Sequence, residues 1–151
     1  MNKIKILFNL GETFFAFQPV FPQIALSGLR VPMTDYRTEA PQILRDFLSY
    51  HETIKAHSRR TVDEYFLDLR NFFRYLKRVR NPALADLDLD EIDIMDVDLE
   101  FVSSVTLTDI YGYMTYLTRD RAQHPNSRNS DYGLNAASRA RKIATIRSFY
   151  N

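Results

Sequence analysis

The chain has 151 residues, of which 45% are hydrophobic and 26% charged, so it is long enough for one globular domain with a buried core. It contains no cysteine, which excludes disulfides, cysteine-ligated zinc and thiol catalysis, and its four glycines are too far apart for a Walker loop or a dinucleotide-binding turn. The 20 basic and 19 acidic residues nearly cancel, but eight acidic residues and no basic one lie within 81–100, between basic segments at 37–80 and 119–151.

The first 33 residues differ in composition from the rest of the chain. They are rich in phenylalanine, sparsely charged and interrupted by glycine and proline, so their apolar run is too short for a transmembrane helix and lacks a clean signal-peptide cleavage site. We therefore expect an irregular N-terminal extension at 1–37, a globular domain at 38–151 and no association with a membrane. Two alternatives stay open: a true start at Met33, and a targeting role for the extension.

Two helices are predicted next, because apolar residues recur at spacings of three and four. The first covers 39–54, with Pro41 in its first turn. The second begins at the N-cap Ser58, has an apolar stripe over 62–76 and ends before Pro82. Its opposite face is predicted to be a ridge that points to solvent, formed by Arg60, Asn71, Arg74 and Arg78.

Residues 83–100 alternate apolar and acidic side chains. A period of two is typical of a half-buried strand, but the helical surroundings favour an extended acidic connection. A calcium loop would require a glycine turn, and this segment has no glycine. We expect the connection to be held to the bundle by Leu87, Leu89, Ile92 and Ile94.

Two further helices complete the domain. The third is capped by Thr106 or Thr108, runs to about Arg121 and is predicted to bury Ile110, Tyr111, Met114 and Leu117. A polar loop follows at 122–133, and the fourth helix starts near Asn135 or Ser138. Its predicted core positions are Ala136, Ala140, Ile143, Ile146 and Tyr150, with Arg141, Thr145 and Ser148 on the other side. Because the chain ends within this helix, we expect it to be part of a longer protein.

The sequence offers no catalytic or metal-binding constellation. His51 and His57 are six residues apart across a helix break, so we expect surface or boundary residues that need not converge. Tyr150 has the spacing of a core residue, and no nucleophile is paired with a base. We predict no catalytic residue, metal, cofactor or small-molecule substrate. The acidic residues of the second helix are interpreted as solvated charges: Asp63, Glu64 and Asp68.

Two groups of basic and hydroxyl side chains lie opposite helical apolar stripes. Guanidinium groups, hydroxyls and helix N-termini donate hydrogen bonds to phosphate oxygens, so these residues fit a nucleic-acid-binding surface. Amphipathic basic helices are common, however, and plain solvated faces stay open as the alternative. The first group is Arg59, Arg60, Thr61, Asn71, Arg74 and Arg78. The second is Arg139, Arg141, Lys142, Thr145, Arg147 and Ser148.

Three motifs resemble the N-terminal core-binding, SAM-like domain of Xer-type tyrosine recombinases and phage integrases. The run Ser58-Arg-Arg-Thr61-Val-Asp-Glu-Tyr65 is similar to the S-x-x-T-x-x-x-Y pattern of that domain. Residues 138–150 resemble the helix that ends it, and Leu107-Thr-Asp-Ile resembles the start of its third helix. The resemblance covers roughly 38–151 in order, but the acidic connection is longer than usual for the family and the first 32 residues have no counterpart.

The resemblance implies an all-α, four-helix orthogonal bundle that binds duplex DNA at recombination half-sites in the cytoplasm. In the family, cleavage through a phosphotyrosine belongs to a separate C-terminal domain, which is absent here, so this chain is expected not to be an enzyme. Other recombinase subunits are a second candidate partner. Alternatives are a helical protein-interaction module or a regulatory truncated recombinase. With Arg74 from the basic ridge, the expected DNA contacts are Ser58, Arg59, Arg60, Thr61, Tyr65, Arg139, Arg141, Lys142, Thr145, Arg147 and Ser148.

Overall fold

The computed structural model of the protein describes residues 35–119 and 133–151, and its regular structure in these two ranges is entirely helical. The six α-helices of this part of the chain are α1 (Tyr36–Glu39), α2 (Gln42–Thr53), α3 (Arg59–Arg80), α4 (Leu99–Ser103), α5 (Leu107–Arg119) and α6 (Ala136–Tyr150). Single 3₁₀ turns occur at Pro82–Leu84 and Leu89–Glu91. The predicted all-α bundle is confirmed, and its four long helices are α2, α3, α5 and α6.

Two predicted segments lie largely outside the described residues. They are the N-terminal extension, described only from 35, and the polar loop at 122–133, described only at its last residue. The division of the chain after residue 37 therefore stays a prediction, as does a cytoplasmic location. Within the described ranges, every helix is too short or too polar to cross a bilayer.

The predicted first helix is divided at Pro41. Ala40 is extended, with φ −99° and ψ 142°, because a residue before proline is restricted to that region. Pro41 then serves as the N-cap of α2. The single turn α1 is capped separately by the side chain of Asp35, which accepts a hydrogen bond from the backbone N–H of Arg37.

The long helix α3 is the centre of the bundle, and α2, α5 and α6 all pack against it. As predicted, Ser58 caps its start, where Oγ accepts a 3.2 Å hydrogen bond from the backbone N–H of Thr61. Its apolar stripe is buried apart from the half-buried Tyr65. The buried members are Val62, Phe66, Leu69, Phe72, Phe73 and Leu76.

The predicted core faces of the last two helices need correction. In α5, Tyr111 points outward with 63% of its surface exposed, and Tyr113 is buried instead. In α6, Ile146 and Tyr150 are buried as predicted, but Ala136 and Ala140 are exposed. The buried positions of α6 are completed by two polar residues, Lys142 and Thr145.

Gly133 lies just before α6 and passes close to the end of α5. Its φ is +81°, and a Cβ at this position would lie 2.0 Å from the carbonyl oxygen of Thr118. The next residue, Leu134, donates a 2.7 Å backbone hydrogen bond to Leu117. Only glycine fits this close crossing without distortion.

The acidic segment (residues 86–100) connects two helices, as predicted, but it is not extended throughout, because it contains the 3₁₀ turn Leu89–Glu91 and its carboxylates form local turns. Asp93 accepts a hydrogen bond from the backbone N–H of Met95, and Asp98 caps α4 through the N–H of Phe101. Ile92 and Ile94 are buried as predicted, whereas Leu87 is 38% exposed and Leu89 is half-buried. Val97, which was not predicted, is the third buried residue of the segment.

Candidate nucleic-acid interface

A buried carboxylate connects α3 to α6. Asp68 Oδ1 lies 2.6 Å from Lys142 Nζ, and Asp68 Oδ2 accepts a 3.1 Å hydrogen bond from the hydroxyl of Thr145. Arg141 Nη1 lies 2.9 Å from the same Oδ2. Asp68 is only 1% exposed, so the expectation that it is a solvated charge is wrong. Burial of a carboxylate is tolerated here because three donors surround it.

These contacts show how α3 and α6 are aligned. Arg141 Nη1 is 2.6 Å from Glu64 Oε2, and Thr145 contacts Asp68, so both pairs are separated by 77 residues. A constant offset means that the two helices run parallel over this stretch. Their N-terminal ends, at 58–61 and 135–138, therefore lie toward the same end of the bundle, and the positive ends of both helix dipoles point the same way.

The N-terminal end of α3 carries three of the four predicted contact residues that are exposed. Ser58, Arg59 and Arg60 are exposed, and the Ser58 hydroxyl lies 2.9 Å from that of Thr61. On α6, Asn135 caps the helix by accepting a 2.8 Å hydrogen bond from the backbone N–H of Ser138. The half-buried Arg139 donates from Nη1 to the carbonyl oxygen of Leu134.

Two histidines lie beside this surface, where the chain turns from α2 into α3. The Nδ1 atoms of His51 and His57 are 3.3 Å apart, so the expectation that the two rings need not converge is wrong. They meet because the turn at Ala56, with φ +52°, folds the chain back and lets the N–H of His57 bond to the carbonyl of His51. Tyr65 packs edge-on against both rings.

His51 is buried and also reaches α6. Its Nε2 lies 3.5 Å from the hydroxyl of Ser148, one of the predicted DNA contacts. Burial, His57 and the charge of Lys55 together hold the pKa of His51 below its ordinary value. Among the described residues, no group of three or more histidine or carboxylate side chains is placed to hold a metal ion.

The C-terminal half of α3 has a different environment from its N-terminal end. Arg74 donates to the carbonyl of Ile92 at 2.9 Å and to Asp90 at 3.0 Å, so only 13% of its side chain is exposed. The guanidinium of Arg78 lies over the ring of Tyr116, with its carbon 5.3 Å from the ring centre. The predicted solvent-facing ridge is therefore wrong for Arg74, which the acidic segment covers.

The structure divides the predicted contact residues into three groups. Lys142 and Thr145 are buried against Asp68, so their side chains are not presented to a ligand. Thr61, Tyr65, Arg74, Arg139, Arg141 and Ser148 are half-buried. Ser58, Arg59, Arg60 and Arg147 are exposed.

Sequence reasoning missed Asp68 and Glu64 as the partners of α6. The position of Asp68 in the sequence did indicate burial. It lies three residues after Tyr65 and four before Phe72, and this spacing places it at the edge of the apolar stripe. An acidic residue at such a position has to find a buried cation or a hydroxyl group.

Comparison with known proteins gives one informative similarity. No protein-family model matches the chain, and no solved structure matches it. Over 111 residues, which are 74% of this chain, it is 43% identical to the protein named tyrosine recombinase XerC of Caldanaerobacter subterraneus subsp. tengcongensis. The matched region spans 28% of the length of that relative.

Proposed function

We propose that this chain, which is related to the Xer-type tyrosine recombinases, binds duplex DNA as the core-binding part of a site-specific recombinase. The proposed DNA surface is formed by the N-terminal ends of α3 and α6 and extends along α6 to its last turn. It consists of Ser58, Arg59, Arg60, Thr61, Tyr65, Arg139, Arg141, Arg147 and Ser148. Recombination half-sites are the proposed targets, and other recombinase subunits are proposed as further partners.

The parallel alignment of α3 and α6 is the observation that carries this proposal. It brings two basic segments, about 77 residues apart in the chain, to one end of the bundle. Exposed guanidinium groups, hydroxyls and two helix N-termini are then available together, and each of these binds phosphate oxygens. Phosphate contacts of this kind position a protein on duplex DNA.

The distribution of charge supports the same surface. The acidic segment lies along the C-terminal half of α3, where it bonds to Arg74 and Lys77, and leaves the start of the helix uncovered. Arg141 has a dual role, because its guanidinium also bonds to Glu64 and Asp68. Arg59 and Arg60 are therefore the better test residues, since both are exposed.

DNA cleavage is not part of the function that we propose for the described residues. Tyr150 is buried, and its hydroxyl donates a 3.3 Å hydrogen bond to the carbonyl of Val102. Burial raises the pKa of Tyr150 above its ordinary value, which disfavours the phenolate. These observations support a packing role for Tyr150 rather than that of a nucleophile.

Binding of the full chain to a labelled duplex, measured by fluorescence anisotropy at several salt concentrations, tests the proposal. We expect affinity to fall steeply with salt. The double variant Arg59→Ala/Arg60→Ala should bind more weakly, with a salt slope that is shallower by about 0.9 for each phosphate that the protein no longer neutralises. Salt-insensitive binding, or no binding at low salt, would show that the proposal is wrong.

The chain provides a matched control for the removal of two charges. Arg37 and Arg45 are neighbours, since Arg45 Nη1 bonds to the carbonyl of Arg37. Their contacts are with α1 and α2 and not with the start of α3, since Arg45 bonds to Gln42 and the Arg37 guanidinium lies 3.7 Å from Glu52. We expect Arg37→Ala/Arg45→Ala to retain most of the affinity and the salt slope.

A further inference from the structure

The acidic segment accepts hydrogen bonds from two cationic side chains of α3, Arg74 and Lys77, that would otherwise be exposed to solvent. Arg74 bonds to the Asp90 carboxylate and to the Ile92 carbonyl, and Lys77 Nζ bonds to the Asp96 carboxylate and, at 2.6 Å, to the carbonyl of Asp93. Each cation thus receives one carboxylate and one backbone carbonyl. These are the kinds of oxygen acceptor that a phosphate group would supply.

Apolar contacts hold the segment in this position. Three buried apolar side chains lie at or next to the residues that accept hydrogen bonds from Arg74 and Lys77. They are Ile92, Ile94 and Val97, and each is 2–3% exposed. By contrast, the carboxylate side chains of Asp90 and Asp96 are 89% and 68% exposed. Burial of the apolar residues therefore anchors the segment, and the two exposed carboxylates compensate the charge of α3 at its surface.

We infer that the acidic segment is an intramolecular competitor of DNA, which restricts the DNA contacts of α3 to its N-terminal end. This inference rests on the proposed function. Asp90 and Asp96 neutralise Arg74 and Lys77, and the other carboxylates of the segment repel the phosphate backbone. The sequence predicted that Arg74 contacts DNA, whereas this inference makes the acidic segment its partner.

Neutralising the two carboxylates tests the inference. In Asp90→Asn/Asp96→Asn the apolar anchors are intact and the two substituted side chains are exposed, so we expect a folded domain with little change in thermal midpoint. Its affinity for a labelled duplex should rise, and its salt slope should steepen by up to about 1.8, the value for two additional phosphate contacts. An unchanged slope would overturn the inference.

Asp86→Asn/Glu100→Gln is the matched control. Both residues are exposed, lie in the same segment and have no ion pair with a cation among the described residues. The control changes the net charge by the same amount, so we expect a clearly smaller gain in affinity. An equal gain in both variants would show a general effect of charge and overturn the inference.

A second variant keeps the test independent of the carboxylate substitutions. If Arg74 and Lys77 are already occupied, Arg74→Gln/Lys77→Gln should leave the DNA affinity of the chain nearly unchanged, whereas Arg59→Ala/Arg60→Ala lowers it. A comparable decrease in both variants would show that DNA reaches the cations despite the acidic segment.

The results also separate this inference from the proposed function. Binding by the unsubstituted chain with no gain in Asp90→Asn/Asp96→Asn would overturn the inference alone. Binding only after the carboxylates are neutralised would support competition by the segment and overturn the proposed surface at the N-terminal ends of α3 and α6. No binding by either protein at low salt would overturn both.

Discussion

The ammonium nitrogen of Lys142 lies 2.6 Å from Oδ1 of Asp68, and both side chains are buried between α3 and α6. This contact, with those of Thr145 and Arg141, sets which turns of the two helices are adjacent. The surface that we propose for DNA depends on that alignment. The most direct test of the fold is therefore the carboxylate at its centre.

Replacing Asp68 by alanine should destabilise the domain by about 3–5 kcal/mol, because it removes the buried carboxylate to which Lys142, Thr145 and Arg141 bond. Urea unfolding followed by circular dichroism measures this change. The control Asp63→Ala removes a less buried acid of the same helix and should cost within about 0.5 kcal/mol. A decrease below about 1 kcal/mol for Asp68→Ala would contradict a structural role for the network.

Two substitutions of Ser58 distinguish its role as a helix cap from its proposed role in DNA binding. Ser58→Ala removes the acceptor of the Thr61 N–H and should cost about 1 kcal/mol of stability. Ser58→Asp retains an N-cap acceptor but places a negative charge on the proposed DNA surface. We expect this variant to unfold at the urea concentration of the unsubstituted chain while binding the duplex more weakly, and equal affinity would count against the surface.

The two glycines of known environment should respond in opposite ways to alanine. Gly133→Ala puts a Cβ against the backbone of Thr118 at a positive φ, so we expect a markedly lower thermal midpoint. Gly112 lies within α5 at a negative φ, and a Cβ there would meet the hydroxyl of Tyr75 at 3.0 Å rather than a backbone atom. The higher helix propensity of alanine should make Gly112→Ala neutral or stabilising, by up to about 1 kcal/mol. Equal decreases in the thermal midpoint would contradict the crossing at Gly133.

Stability should fall in mild acid because of His51. Its pKa is lowered in the folded protein, so the unfolded chain binds the proton more readily and the folded state loses stability as the pH falls below about 6.5. The effect is complete once the pH is below the folded-state pKa. Asp109, whose pKa is also lowered, acts only in a more acidic range, below about pH 4.

Urea midpoints at about pH 7.5 and about pH 5.5 measure this dependence, since the interval brackets the titration of a free histidine. The variant His51→Gln should lose most of the difference between the two midpoints. If the variant retained the full difference, the titration of another group would be responsible.

The four long helices were predictable because the information that specifies them is local. The spacing of Val62, Phe66 and Leu69 places them on one face of any α-helix, and Ser58 caps the same turn wherever the helix packs. The motifs at 58–65 and 138–150 likewise indicated the recombinase relationship, which the similarity to tyrosine recombinase XerC confirms.

Tertiary structure decided which polar side chains these helices bury. Lys142 and Thr145 point inward because Asp68, more than 70 residues earlier, needs donors, and no spacing within α6 indicates that carboxylate. The sequence also did not indicate that the acidic segment covers Arg74. The spacing of charged residues along the chain is the same whether they are solvated or paired with a distant segment. Helix periodicity depends on neighbours three and four residues apart. The pairing of buried charges depends on which helices meet, and only the folded chain decides that.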